Sequence, residues 1–126
     1  CRIFREFVRI TGRNTNARWM RSKPPPVLTF SASFCAALLA PVWEANSTRV
    51  TDRTKFNQVD AMLGGDAVSY LHALTARLLI PKLSQWGIQN TDLEEIARKA
   101  AAASSMKANP VSLTHEELVA ILRTAS

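Results

Sequence analysis

The chain has 126 residues, a mass of 13.9 kDa and a formal charge of +6, with 47% hydrophobic and 21% charged residues. That length suits one domain with a core of its own, and that balance excludes a fibrous or wholly disordered chain. The longest apolar run, Phe34–Trp43, is about half of the ~20 residues a bilayer span needs, and two cysteines, Cys1 and Cys35, build neither a disulfide framework nor a cysteine metal site.

The charge is concentrated at the start. Residues 1–30 carry Arg2, Arg5, Arg9, Arg13, Arg18, Arg21 and Lys23 against Glu6 alone, whereas residues 31–126 are balanced at nine basic and nine acidic side chains. The pI near 10.0 therefore describes the N-terminal quarter. Three readings of that quarter are open: an arm for nucleic acid or an anionic membrane surface, an Arg-rich, acid-poor organelle transit segment, or a solvated, poorly ordered tail. No aromatic interleaving and no nucleic-acid module accompanies the arginines, which argues against nucleic acid. The first residue is Cys rather than Met, and the chain reads as a fragment or a processed product.

Within the tail, Ile3, Phe4, Phe7, Val8 and Ile10 fit a short helix or a strand equally well, and residues 12–16 break the pattern. Pro24-Pro25-Pro26 forces an extended segment, and the domain boundary is placed there: 1–30 tail, 31–126 folded domain. Phe34 to Ala40 is apolar on all sides, the mark of a buried helix, and Pro41 is expected to kink or end it. Asn46-Ser47-Thr48 matches the N-glycosylation pattern, but so short a motif recurs by chance.

A helix is expected from about Asp52, capped by Thr51, with Phe56, Val59 and Leu63 on one face and Gly64-Gly65 as its stop. A second should run from Asp66 to Leu79 with Ala67, Leu71, Leu74 and Leu78 as the buried stripe, ended by Ile80-Pro81. Residues 81–88 read as a turn-rich link pinned by Leu83, Trp86 and Ile88. Thr91-Asp92-Leu93-Glu94 reads as a capping box opening a helix with Leu93, Ile96, Ala97 and Ala100 inward, and Ser104 to Pro110 as a loop. Thr114-His115-Glu116-Glu117 is a second box, with Leu113 and Leu118 placed for a hydrophobic staple and Leu118, Ile121, Leu122 and Ala125 on the apolar face. No segment from residue 31 onward alternates with period two, so the expected fold is all-α, a partial helical bundle behind an irregular basic tail.

No complete active site shows in the residues. His72 and His115 lie on different expected helices and share no metal-ligand spacing. Glu94/Glu95 and Glu116/Glu117 each begin a helix, where capping explains paired carboxylates better than acid–base work. Gly64-Gly65-Asp66 is too short for a phosphate loop. Ser69 near His72 is helical proximity without a triad. Met62, Met106 and the tryptophans read as core or boundary fillers.

Four segments in order carry a resemblance. Ile80-Pro81-Lys82-Leu83-Ser84-Gln85-Trp86-Gly87-Ile88, then Asp92-Leu93, then the stretch from Ala102 to Val111 containing Ser104-Ser105-Met106-Lys107-Ala108-Asn109-Pro110, then Leu113-Thr114-His115-Glu116-Glu117-Leu118 resemble the C-terminal end of the iron-containing alcohol dehydrogenase family. Leu38-Leu39-Ala40-Pro41-Val42 with Asn46 resembles an earlier family helix. The likeness covers residues 35–126 and stops short of the basic start.

The resemblance implies the C-terminal part of the helical domain of a dehydroquinate synthase-like, iron alcohol dehydrogenase fold. Complete members join an α/β domain that binds NAD or NADP to that helical domain. A divalent ion, iron or sometimes zinc, is held by one Asp and three His, and a small alcohol or aldehyde sits in the cleft between the domains. On this resemblance the nucleotide domain and the first part of the helical domain, which carries two of the metal ligands, are expected to lie outside these residues, and where the family's last metal histidine and its glycine would fall, this sequence has Ser31 and Ala32. Hydroxyl is a poor ligand for either ion. No catalytic, cofactor-binding or metal residue is therefore expected on this chain, and no cofactor of its own. Ser105 and Met106 match the family loop that faces the substrate, and are expected as cleft wall.

The leading expectation is a fragment of a metal-dependent alcohol dehydrogenase, inactive alone. The alternative is a basic-tailed helical module that binds an anionic partner or docks on a full-length paralogue; association with a second copy is a further expectation. A cytoplasmic location is expected, with the mitochondrion suggested by the arginine-rich start.

Overall fold

From Val27 onward the chain carries one stretch apolar on all sides and then apolar stripes at helical spacing, and helices are what form. The structure is a computed structural model, and it describes residues 27–126. Five α-helices follow one another among the described residues, with no strand: α1 Val27–Arg49, α2 Thr54–Met62, α3 Ala67–Arg77, α4 Asn90–Ala101 and α5 His115–Thr124. Two short 3-10 turns, Leu83–Trp86 and Ser104–Ala108, sit on either side of α4. The all-α expectation holds. The expectations for the segment before Val27, the basic arm included, lie outside the described residues.

The core is built from α4 and α5, and α1 packs against α5 and α3. Leu93, Ile96 and Ala97 of α4 face Leu118, Val119, Leu122 and Ala125 at the end of the chain, and Phe34 of α1 joins the same buried cluster. The stripe Leu118, Ile121, Leu122, Ala125 is buried as the periodicity requires. The 81–88 link is pinned as expected: Leu83 and Ile88 are buried and Trp86 packs against the cluster. The Leu83 amide also donates to the Ala125 carbonyl at 3.0 Å, and the Ser84 hydroxyl to the Ser126 carbonyl at 2.7 Å. These bonds satisfy backbone groups at the C-terminal end of α5 that have no partner within the helix.

Pro41 neither ends nor interrupts α1, which runs eight residues past it. A proline inside a helix removes one intrahelical hydrogen bond and costs on the order of 3 kcal/mol. Ala40 and Pro41 are both buried, and packing of the helix offsets that cost, as packing rather than propensity decides most helices. Nor is the all-round apolar helix wholly buried, for Cys35 and Leu39 are exposed. The possible glycosylation asparagine lies in the same helix, with Asn46 and Ser47 both buried, so the sequon is not a surface acceptor.

Several boundaries differ from the sequence reading for local reasons. α2 starts two residues late, at Thr54, because Asp52 rather than Thr51 holds its first turn: the Asp52 carboxylate accepts from the Thr54 amide at 2.9 Å and from its hydroxyl at 2.6 Å. Phe56 is buried and stacks, tilted, on Trp43 with ring centroids 4.7 Å apart, which fastens α2 to α1. Gly64 and Gly65, with φ of +91° and +104°, turn the chain where residues with side chains are disfavoured. Asp66 caps α3, its carboxylate accepting from the Ser69 amide and hydroxyl.

The stripe read onto α3 is only partly right. Ala67 is buried and Leu71 and Leu74 are half-buried, but Leu78 is exposed. The helix ends at Arg77, before the Ile80-Pro81 stop, because Leu79 swings into the left-handed region at φ +52°. The capping box of α4 is also displaced: the Gln89 amide donates to the Asp92 carboxylate at 2.8 Å, and the helix opens at Asn90, so Thr91 and Glu94 are already helical. The box of α5 is where the sequence puts it. Glu117 accepts from the Thr114 amide at 2.7 Å, and the Thr114 hydroxyl oxygen accepts from the Glu117 amide at 3.3 Å. The 104–110 loop contains the 3-10 turn of Ser104–Ala108.

Candidate functional site

Phe34, Cys35, Leu38 and Val42 fall on one side of α1, at helical spacing. Across from them stand Ile96 and Ala100 of α4 and Leu118, Ile121 and Leu122 of α5. Between the two faces lies an open groove of about 130 Å³, and Met106, from the 3-10 turn, forms part of its wall. The lining is apolar apart from the Cys35 thiol. Such a groove holds a hydrocarbon body and excludes water, since burying apolar surface is favourable and nothing here offers water a hydrogen bond.

Of the two residues expected as cleft wall, Met106 is half-buried and lines this groove, and Ser105 precedes it in the same turn. The turn is attached to α1 by a reciprocal amide pair. Asn46 Nδ2 donates to Asn109 Oδ1 at 3.0 Å, and Asn109 Nδ2 donates to Asn46 Oδ1 at 2.7 Å. Asn109 Nδ2 also donates to the Val111 carbonyl at 2.7 Å, which fixes the orientation of its amide. One turn further along α1, the Arg49 guanidinium donates to the Ser112 carbonyl at 3.2 Å and pairs with Glu117. The sequence reading missed this clamp. Its partners are 63 residues apart, and no local pattern joins them.

The ionisable groups lie elsewhere and do structural work. His115 Nε2 lies 2.6 Å from Glu94 Oε2, both exposed, tying the start of α5 to α4. Glu95 pairs with Lys99 one turn on, which lowers its pKa. Hydrogen bonds from the Thr114 amide, together with the Arg49 charge, lower that of Glu117. Bonds to its own amide and to the Thr114 side chain lower that of Glu116. Bonds from Thr54 and Ser69 do the same for Asp52 and Asp66. A general acid near neutral pH needs a raised carboxyl, and these five move the other way.

The described residues do not fit an iron or zinc site. No three His, Cys, Asp or Glu side chains among them converge, whereas a bound ion needs at least three protein ligands. His72 and His115 sit on α3 and α5. Ser31 and Ala32 lie within α1. No described helix is long and apolar enough to cross a membrane.

Comparison with family models matches residues 29–126 to the Fe-containing alcohol dehydrogenase family, C-terminal. No curated protein and no solved structure matches. The match takes in α2 to α5 entirely and all but the first two residues of α1.

Proposed function

The chain belongs to the Fe-containing alcohol dehydrogenase family, and from that premise we propose that it is the C-terminal helical part of an NAD(P)-linked alcohol or aldehyde oxidoreductase. Its role there is to supply an apolar wall of the substrate cleft. The observation that carries the reading is the place of Met106. The one loop in which the sequence resembles the family's substrate-facing segment delivers a side chain to the apolar groove. Phe34, Leu38, Val42 and Met106 would take the hydrocarbon part of the alcohol and keep water from it. The described residues bring neither a ligand set for the metal nor a nucleotide-binding element, so no chemical step is assigned to them. Residues 31–126 are read as the family part, and these 126 residues as inactive alone.

Two measurements test this. The purified chain, mixed with NAD or NADP, ferrous iron or zinc, and a range of primary alcohols, should produce no reduced nicotinamide; turnover would overturn the inactivity. Titration with benzyl alcohol or hexanol should shift the Met106 methyl resonance and leave that of Met62, which is 83% exposed on α2, in place. An unmoved Met106 would remove the cleft-wall role.

The exposed Leu39, Leu78 and Leu79 favour a second reading, docking on a full-length paralogue. Co-purification with such a dehydrogenase would support it, and a chain that stays monomeric beside the paralogue would remove it.

A further inference from the structure

We infer that the Asn46–Asn109 pair is the positioning device for the groove, setting how far Met106 stands from the α1 wall. The inference rests on the cleft-wall reading only for the use to which the groove is put; the clamp itself is argued from geometry.

Asn46 is 6% exposed, on a helix whose neighbouring buried positions are apolar or small. A buried amide without partners costs several kcal/mol, so such groups are kept where they are fully bonded. Here each of the four amide nitrogens and oxygens has a partner: each amide gives an N–H to the other's oxygen, and Asn109 gives its second N–H to Val111. An apolar pair would fill the space with less penalty but would fix neither distance nor direction, because dispersion contacts tolerate sliding. A two-way amide pair fixes both.

Met106 packs against the core cluster, a contact that tolerates sliding, and the hydrogen bonds of its turn are local. The Ser104–Ala108 turn has the Met106 amide bonded to the Ala103 carbonyl and the Asn109 amide to the Met106 carbonyl, both local contacts. Among the side-chain hydrogen bonds, those from α1 to residues 109–112 come from Asn46 and from Arg49. Arg49 is exposed and reaches Ser112, three residues beyond the clamp. Asn109 lies three residues from Met106, and Asn46 lies one helical turn beyond Val42, which lines the groove opposite. The clamp therefore joins the two walls close to where they face each other. Asn46 and Asn109 touch no groove content, and they act through Met106.

The test uses the whole chain with methyl-labelled methionine. Asn109→Ala should move the Met106 methyl resonance toward that of exposed Met62 and raise the rate at which peroxide oxidises Met106, relative to Met62, by several-fold. Helix content and the Met62 signal should stay put. Asn46→Ala removes the other half of the pair and leaves Asn109 its bond to the Val111 carbonyl. It should give a change of the same kind, and it keeps the test open if the first variant unfolds. A Met106 signal and a Met106 oxidation rate unchanged in a folded variant would overturn the positioning role. Should Met106 move in Asn109→Ala while no alcohol shifts it in the parent chain, the clamp stands and the cleft reading falls.

Discussion

Replacing Leu79 by glycine should stabilise this protein, against the usual direction for truncating a leucine. Leu79 stands at φ +52° just past the end of α3. The Ile80 amide donates to the Thr75 carbonyl at 3.0 Å and the Leu79 amide to the Ala76 carbonyl at 3.1 Å. Those paired bonds close a helix through a left-handed residue, a position glycine usually takes. A residue with a side chain pays roughly 1–2 kcal/mol there. The leucine returns little, being 85% exposed. About a sixth of the ~1.5–3 kcal/mol of full burial is at stake, or ~0.2–0.5 kcal/mol. Glycine's freedom in the unfolded chain takes back about 0.5–1 kcal/mol. The net is a gain of roughly 0.5 kcal/mol, or about 2–4 °C in Tm for a domain near 100 residues. Leu79→Ala keeps the strain and loses the contact, so it should fall slightly below the parent. Urea unfolding followed by circular dichroism separates the three. Glycine less stable than alanine, at equal m-values, would refute the reasoning.

Leu93→Ala should cost about 2–5 kcal/mol, because Leu93 is 1% exposed between α4 and α5; the urea midpoint reads it. Thr114→Ala should cost about 1 kcal/mol by removing the α5 cap. Thr91→Ala should stay within about 0.5 kcal/mol because the α4 box runs through Gln89 and Asp92; equal losses at both positions would contradict that assignment. Acid should weaken the fold through Asp52, Asp66, Glu95, Glu116 and Glu117. Their carboxyls are held below the ordinary range by bonds to the charged form. Their contribution is present above the unfolded value, near pH 4, and is lost as the pH falls through the lowered folded values. A Tm flat from pH 6 to pH 3 would contradict it.

The sequence by itself determined the helical class, the α5 cap and both terminal stripes. Periodicity and capping act over three or four residues, and the residues that satisfy them are neighbours in the chain. Leu83, Trp86 and Ile88 were legible as anchors for the same reason, as large apolar residues confined to a short polar link. Tertiary structure decided the rest. Pro41 stays inside a helix because burial of its surroundings outweighs one missing hydrogen bond. Leu78 faces water because Leu79 turns the chain before the stripe is complete. Asn46 and Asn109 meet across 63 residues, and the groove beside Met106 exists only where α1 comes against residues of α4 and α5 that lie far from it in the chain. Local rules carry no information about such contacts, which follow from packing and from hydrogen bonds between partners remote in sequence.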